Sequence, residues 1–251
     1  MAATDSENLD GILLIDKPEG PTSMRAVERV RRAAGGVRCG HAGTLDPLAT
    51  GLLVIALGRF TRLIDRLMGG DKRYETVIDL SAFTTTDDRE GASTLVACHS
   101  PPTTARLDEA LAQFRGAIMQ APPAFSAVKI GGRRSYDLAR RATRESTAPE
   151  SVPAPAPQPR PAFVHAIEVR EYRFPLVALD IHCAKGFYVR SLARDLGRAL
   201  GTGGHCRLIR RTFSAPFSVS DALALDALPT PLTRAHLTQL PDGLRLGDPA
   251  C

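Results

Sequence analysis

The residue that most invites chemistry is Asp46, in the run GHAGTLDPLATG at positions 40–51. An aspartate stands in a glycine-flanked loop just ahead of the apolar stretch Leu52 to Leu57. Pro47 biases Asp46 toward an extended backbone and removes the next N–H, a potential donor to the carboxylate. The result is a rigidly placed carboxylate, open to a partner or a substrate. Such a loop is equally an ordinary Asp-Pro turn. No other acid stands near it, so a two-carboxylate glycosidase cannot be read from this motif.

A second candidate is Arg190, in KGFYVRSL at 185–192. Arg190, Arg194 and Arg198 recur every four residues and share one helical face, opposite Val189, Leu192, Ala193, Leu196 and Leu200. For Arg194 and Arg198 a solvated basic face accounts for the spacing. Arg190 falls in the first turn, where the helix dipole favours acids. A carboxylate or phosphate must therefore compensate it.

Tyr74, in DKRYE at 71–75, could stack on a base or pack as a half-buried strand residue. The stretch Ala121 to Lys129, followed by Arg133, Arg134, Tyr136, Arg140 and Arg141, interleaves aromatic and basic residues. That suits gripping an RNA backbone, and it also suits a solvated surface. The glycines of GTGG at 201–204 follow a helix rather than a strand, so they are read as a helix C-terminus and not as a phosphate loop.

The elements that must position these residues alternate in type without a repeat. GILLID at 11–16 reads as a buried strand ended by Lys17-Pro18, and Thr22 or Ser23 caps a helix running to about Ala34. Residues 37–51 read as loop, 52–57 as strand, 60–68 as helix and 74–80 as strand. An amphipathic helix is expected over 104–115, a hairpin arm over 126–130 and a short basic helix from Tyr136 to about Ala142. The six prolines of 149–161 imply a stiff irregular loop. Strands at 163–173 and 176–183 form an antiparallel pair, followed by a helix over 188–200 and a strand over 205–213. The whole reads as an α+β domain with a mixed or antiparallel sheet.

Composition excludes several classes. With 251 residues, 43% hydrophobic and 24% charged, the chain can bury a sizeable core, and its longest apolar run is far too short for a bilayer. Residues 1–10 carry acids and no lysine or arginine, which argues against a leader. A net charge of +5 suits a polyanion but decides nothing, since 28 arginines against four lysines also fit a GC-rich coding sequence. Five cysteines without a C-x-x-C pair and six scattered histidines imply reduced thiols, a cytoplasmic setting and no metal.

Taken in order, the motifs resemble the TruB family of tRNA pseudouridine synthases. The matching pieces are Gly11 to Pro18 with Gly20, Thr22 and Ser23; Gly40 to Gly51; Asp71 to Tyr74; Pro122 to Lys129 with Tyr136, Ala139 and Arg140; Cys183 to Arg190 with Asp195 to Gly197; and Leu208 to Arg211. They span about residues 9–229, which the resemblance assigns to the catalytic domain, leaving 230–251 as a short tail. All four lysines fall inside these motifs. The resemblance implies the pseudouridine synthase fold, with a central mixed or antiparallel sheet flanked by helices. A mobile thumb hairpin is inserted at about 122–144, with the Pro-rich loop 149–161 enlarged behind it.

It also implies isomerisation of the T-loop uridine at tRNA position 55 to pseudouridine, without cofactor or metal. Asp46 aligns with the catalytic aspartate, which breaks the N-glycosidic bond by attack at C1′ or by a glycal route. One acid suffices if it acts covalently or as a base. Arg190 aligns with the arginine that pairs with this aspartate. Tyr74 aligns with the tyrosine that stacks on the flipped uracil and is placed to move the C5 proton. His41 matches a histidine that holds the disrupted T-loop, and Tyr188 and Ile209 match residues packed around the base. Lys17, Lys129, Tyr136 and Arg140 are further substrate-binding positions. The target uridine must leave its stack.

Three positions depart from the pattern: Phe187 in place of a small residue, Ser81 in place of glycine and Thr85 in place of aspartate. The sequence ends where many bacterial members continue into a PUA domain, so no complete PUA domain is expected. A standalone monomer acting on the T-arm of tRNA without guide RNA follows. The alternatives are the same chemistry on a T-loop-like hairpin of another RNA, or a non-catalytic tRNA folding chaperone.

Overall fold

The computed structural model describes residues 9–125 and 157–239, together with the backbone of 129–130 and 133–134. In chain order the strands and α-helices are β1 (Gly11–Lys17), α1 (Ser23–Ala33), β2 (Cys39–His41), β3 (Thr50–Leu57), α2 (Ile64–Met68) and β4 (Lys72–Asp79). Next come β5 (Ala82–Thr84), β6 (Ser93–Leu95), α3 (Thr104–Ala112), β7 (Gly116–Gln120), β8 (Lys129–Ile130) and β9 (Arg133–Arg134). The last are β10 (Arg160–Arg173), β11 (Leu176–Cys183), α4 (Val189–Leu200), β12 (His205–Ser214), β13 (Phe217–Ser218) and β14 (Leu223–Ala224). The chain divides into two compact units, residues 1–75 with 209–251 and residues 76–208, and the division falls inside β4 and β12.

In the first unit β1 pairs with β3 antiparallel along its whole length and with β14 in parallel, while β3 also pairs with β12 in parallel. The sheet is therefore mixed. β1 and β3 lack polar alternation because both of their faces are buried. Ile12, Leu14, Leu52, Val54 and Ala56 form one cluster with Leu63, Leu67 and Phe217. Thr22 caps α1 by accepting from the Arg25 N–H at 3.2 Å. Two expectations need correction here. Residues 39–41 form a short strand against β3, and the helix expected over 60–68 begins as a 3₁₀ turn at Gly58–Leu63 before becoming α-helical.

In the second unit the strand order is β4-β11-β10-β7. The antiparallel β10–β11 pair matches the expected one, with irregularities near His165 and Arg170. Arg160 and Pro161, expected in the irregular loop, open β10 and pair with Gln120 and Met119 of β7. α3 stops at Ala112, short of the expected residue 115, and packs on α4. Leu107, Leu111, Val164, Ile181, Leu192 and Leu196 are buried there. β8 pairs antiparallel with β9, and of the hairpin arm expected over 126–130 only residues 129–130 are described. The basic helix from Tyr136 and residues 149–156 of the Pro-rich loop lie outside the described residues.

α4 ends at Gly201, left-handed at φ +72°, in agreement with the helix C-terminus reading of GTGG. The two glycines that follow are there for close approach. A Cβ on Gly203 would lie 2.2 Å from the Ala82 nitrogen, and one on Gly204 2.1 Å from the Ala193 carbonyl oxygen. Gly204→Ala is expected to cost about 1–3 kcal/mol through overpacking, read as a Tm drop of several degrees. An unchanged melt together with weakened RNA binding would restore the phosphate-loop reading.

Candidate active site

In the first unit, the loop carrying Asp46 is held by two buried side chains on the residues flanking the aspartate. Ser23, at the start of α1, accepts from the Leu45 N–H at 2.8 Å and donates its hydroxyl to the Leu45 carbonyl at 2.9 Å. Lys17, at the end of β1, is fully buried, and its ammonium donates to the carbonyls of Pro18, Pro21 and Pro47 at 2.9, 3.0 and 3.3 Å. Lys17 was expected to bind substrate. With no exposed surface it instead ties Pro47, next to Asp46, to the chain leaving β1. The Ala49 N–H closes a turn on the Asp46 carbonyl at 3.1 Å, so the Asp-Pro turn is real. It holds a half-buried carboxylate whose two neighbours are pinned.

His41 closes β2, half-buried, and its Nδ1 is buried without a hydrogen-bond partner among the described residues. Burial, and then the nearby Arg211 guanidinium, push its pKa below the usual value of 6.5. The unfolded chain therefore takes up this proton at higher pH than the folded one. Stability from neutral His41 is intact above about pH 6.5 and lost as pH falls below it. His41→Gln should flatten this part of the acid dependence between pH 7.5 and 5.5 in thermal melts. An unchanged slope would assign it elsewhere. Tyr74 is half-buried on β4, and Ile209 is buried on β12.

In the second unit, Arg190 is 6% exposed, and its guanidinium is engaged by groups of that unit. Nη1 donates to the Thr86 carbonyl at 3.0 Å and lies 3.4 Å from the Asp88 carboxylate, while Nη2 donates to the Phe125 carbonyl at 2.9 Å. The compensating carboxylate demanded by its place in the first turn is thus present. Asp88 is itself 2% exposed and accepts from the Thr86 hydroxyl and the Glu90 N–H at 2.5 and 3.1 Å.

Arg194, read as part of a solvated face, needs correction. Its side chain is 12% exposed and pairs with Asp87 at 3.0 Å and Asp195 at 2.9 Å, while Nη2 donates to the Ala121 carbonyl at 2.9 Å. Burial raises the Asp87 pKa despite Arg194 and Arg190 beside it. Arg198 alone keeps the expected exposure, at 65% of its side chain.

Tyr188 caps α4 and is half-buried. Its backbone exchanges two bonds with the Gln120 side chain, Tyr188 N–H to Oε1 at 2.8 Å and Nε2 to the Tyr188 carbonyl at 3.1 Å. The Ser191 hydroxyl donates to the Ala121 carbonyl at 2.8 Å. The first turns of α4 therefore hold residues 120–125, where the expected thumb begins. Asp88, Asp87 and Gln120 were not singled out in the sequence. Of the departures, Phe187 is buried, and Ser81 donates its N–H and hydroxyl to Asp79 at 2.9 and 2.6 Å. The Thr85 N–H bonds the Ala92 carbonyl at 3.1 Å.

Of the remaining expected site residues, Lys129 is described only as backbone in β8, and Tyr136 and Arg140 lie outside the described residues. Histidines that look scattered in sequence do meet in one place: His165 and His182 have ring centroids 4.4 Å apart across β10 and β11. Cys39, Cys98, Cys183 and Cys206 form no disulfide among the described residues, and no helix there is long and apolar enough to cross a membrane.

A mixed sheet with flanking helices that carries these residues defines a class, and comparison with known proteins gives it a name. The chain superposes on the crystal structure of a Cbf5-Nop10-Gar1 complex with a TM-score of 0.66 at 27% identity, over 90% of this chain and 55% of that one. The fold is that of the pseudouridine synthases. The profile of the TruB family pseudouridylate synthase N-terminal domain matches residues 31–189, and that of the tRNA pseudouridylate synthase B C-terminal domain matches 190–240. The chain is 43% identical over 218 residues to tRNA pseudouridine synthase B of Cereibacter sphaeroides, covering 86% of this chain and 69% of that protein. The protein of the same name from Ruegeria pomeroyi is 43% identical over 242 residues, 94% of this chain and 76% of its own length. The chain belongs to the TruB family of pseudouridylate synthases and is an isomerase.

Proposed function

We propose that this chain converts uridine to pseudouridine at position 55 in the T-loop of tRNA. The observation that carries the reading is the Asp46 loop, whose residues 45 and 47 are fixed by Ser23 and Lys17 while the carboxylate between them stays half-exposed. A single carboxylate so held suits covalent or base chemistry and not a paired-acid hydrolysis. The names of the relatives support tRNA as the substrate.

In the proposed reaction the target uridine leaves its stack and enters the site. The Asp46 carboxylate either attacks C1′ or takes the C2′ proton to give a glycal. On both routes the glycosidic bond breaks and uracil leaves with the bonding pair. The base turns, C5 bonds to C1′, and Asp46 is released or returns its proton to C2′. C5 then loses its proton and N1 gains one, so substrate and product are isomers. Tyr74 is assigned to stacking on the base and to moving the C5 proton. Arg190 takes the part that the resemblance gives it, toward the carboxylate.

His41, Tyr188 and Ile209 are assigned to the loop and base, and Lys129, Tyr136 and Arg140 to RNA gripped by a thumb of about residues 122–144. Residues 9–229 would form the catalytic domain, working in the cytoplasm as a monomer without guide RNA. Mapping the product in an unmodified tRNA transcript tests the position. Pseudouridine at position 55, and none in a transcript carrying cytidine there, supports the reading. Product elsewhere in the same transcript would move the target.

A further inference from the structure

Arg211, in β12, is 2% exposed, yet among the described residues no carboxylate pairs with it. A buried guanidinium without a counter-charge is costly, and an apolar residue would fill the strand position more cheaply. Its donors go to backbone instead. Nε donates to the Leu52 carbonyl at 2.8 Å and Nη2 to the Gly43 carbonyl at 3.1 Å. These two carbonyls stand at the two ends of segment 43–52, whose middle carries Asp46.

The backbone repeats the clamp. Arg211 pairs in register with Gly51, and a Cβ on Gly51 would lie 2.2 Å from the Arg211 carbonyl oxygen. A Cβ on Gly43 would lie 3.3 Å from Nη1. Both glycines have positive φ, +99° and +96° for residues 43 and 51. The loop thus closes on Arg211 at two points that a side chain would spread.

We propose that Arg211 is a positioning residue for the isomerisation. By tying the entry of the loop to its exit, the guanidinium fixes where Asp46 is presented, and it does so from the interior, without touching RNA. The inference rests on reading Asp46 as the reacting carboxylate. Misplacing a reacting group by about 1 Å costs on the order of 10²-fold in rate.

The test measures the single-turnover rate, the RNA Kd and the melt for Arg211→Met, Arg211→Lys and Asp46→Asn. Arg211→Met is expected to lower the rate by about 10²-fold while the Kd stays within about threefold. Arg211→Lys should recover part of that loss, because its ammonium reaches one carbonyl. A normal rate for Arg211→Met with only a lowered melt would reduce Arg211 to a structural residue, and a weakened Kd at a normal rate would make it an RNA contact. Either result overturns the proposal. Should Arg211→Met fail to fold, Gly43→Ala, which pushes the loop off the guanidinium, is expected to lower the rate by at least about tenfold with the Kd unchanged. Full activity there overturns the proposal equally. Activity retained by Asp46→Asn would instead remove the reading of the site on which the inference stands.

Discussion

Replacing Asp46 with asparagine is expected to lower the single-turnover rate of pseudouridine formation by about 10⁴-fold or more, the scale seen when a group central to covalent catalysis is removed. RNA affinity should change by no more than about threefold, since what is lost belongs to the chemical step. The substitution is nearly isosteric, and an amide is neither a nucleophile toward C1′ nor a base at C2′. The loop should survive the change, because Ser23 and Lys17 grip the backbone of Leu45 and Pro47 and not the Asp46 side chain. An Asp46→Asn protein with a native melt and near-normal turnover would remove this carboxylate from the mechanism.

Arg190→Lys should also be damaging, with a rate loss of about 10²-fold or more. The guanidinium bonds the Thr86 and Phe125 carbonyls from its two Nη atoms and lies beside Asp88. One rigid fork therefore holds the 84–88 loop and Phe125 together at the head of α4. An ammonium on a flexible stem keeps the charge but cannot reproduce that spread of donors. Rate measurement beside a melt separates the effects: a large rate loss in a folded protein is expected, whereas a normal rate would show that charge alone suffices at position 190.

Much of the scaffold was legible because its signals are local. The Thr22 cap, the apolar runs of β1 and β3 and the glycines after α4 each act within a few residues of themselves. The Asp46 loop was legible for the same reason, since Pro47 and the glycines constrain it from within. Where reading failed, the deciding partner lay far along the chain. Arg194 sits on a helix face that looks solvated, and it is buried where Asp87, 107 residues away, and the Ala121 carbonyl, 73 residues away, meet it. Asp88 lies in a run of threonines and acids in which nothing local points to Arg190, at the head of α4, 102 positions further along. Lys17 closes an apolar strand and looks like a tethered charge; its burial follows from three carbonyls converging on it, one of them 30 residues on. Arg211 directly follows Arg210 in a basic strand, and nothing in that pattern reveals that it reaches Gly43, 168 residues away.

The most direct check on the central claim is tritium release from a tRNA transcript labelled at C5 of its uridines, with wild type and Asp46→Asn assayed in parallel. Isomerisation at one position must expel one C5 hydrogen per tRNA. Wild type is therefore expected to release one equivalent, and Asp46→Asn to release none while still binding the transcript. Release by both proteins, or by neither despite tight binding, would contradict an Asp46-dependent uridine isomerase.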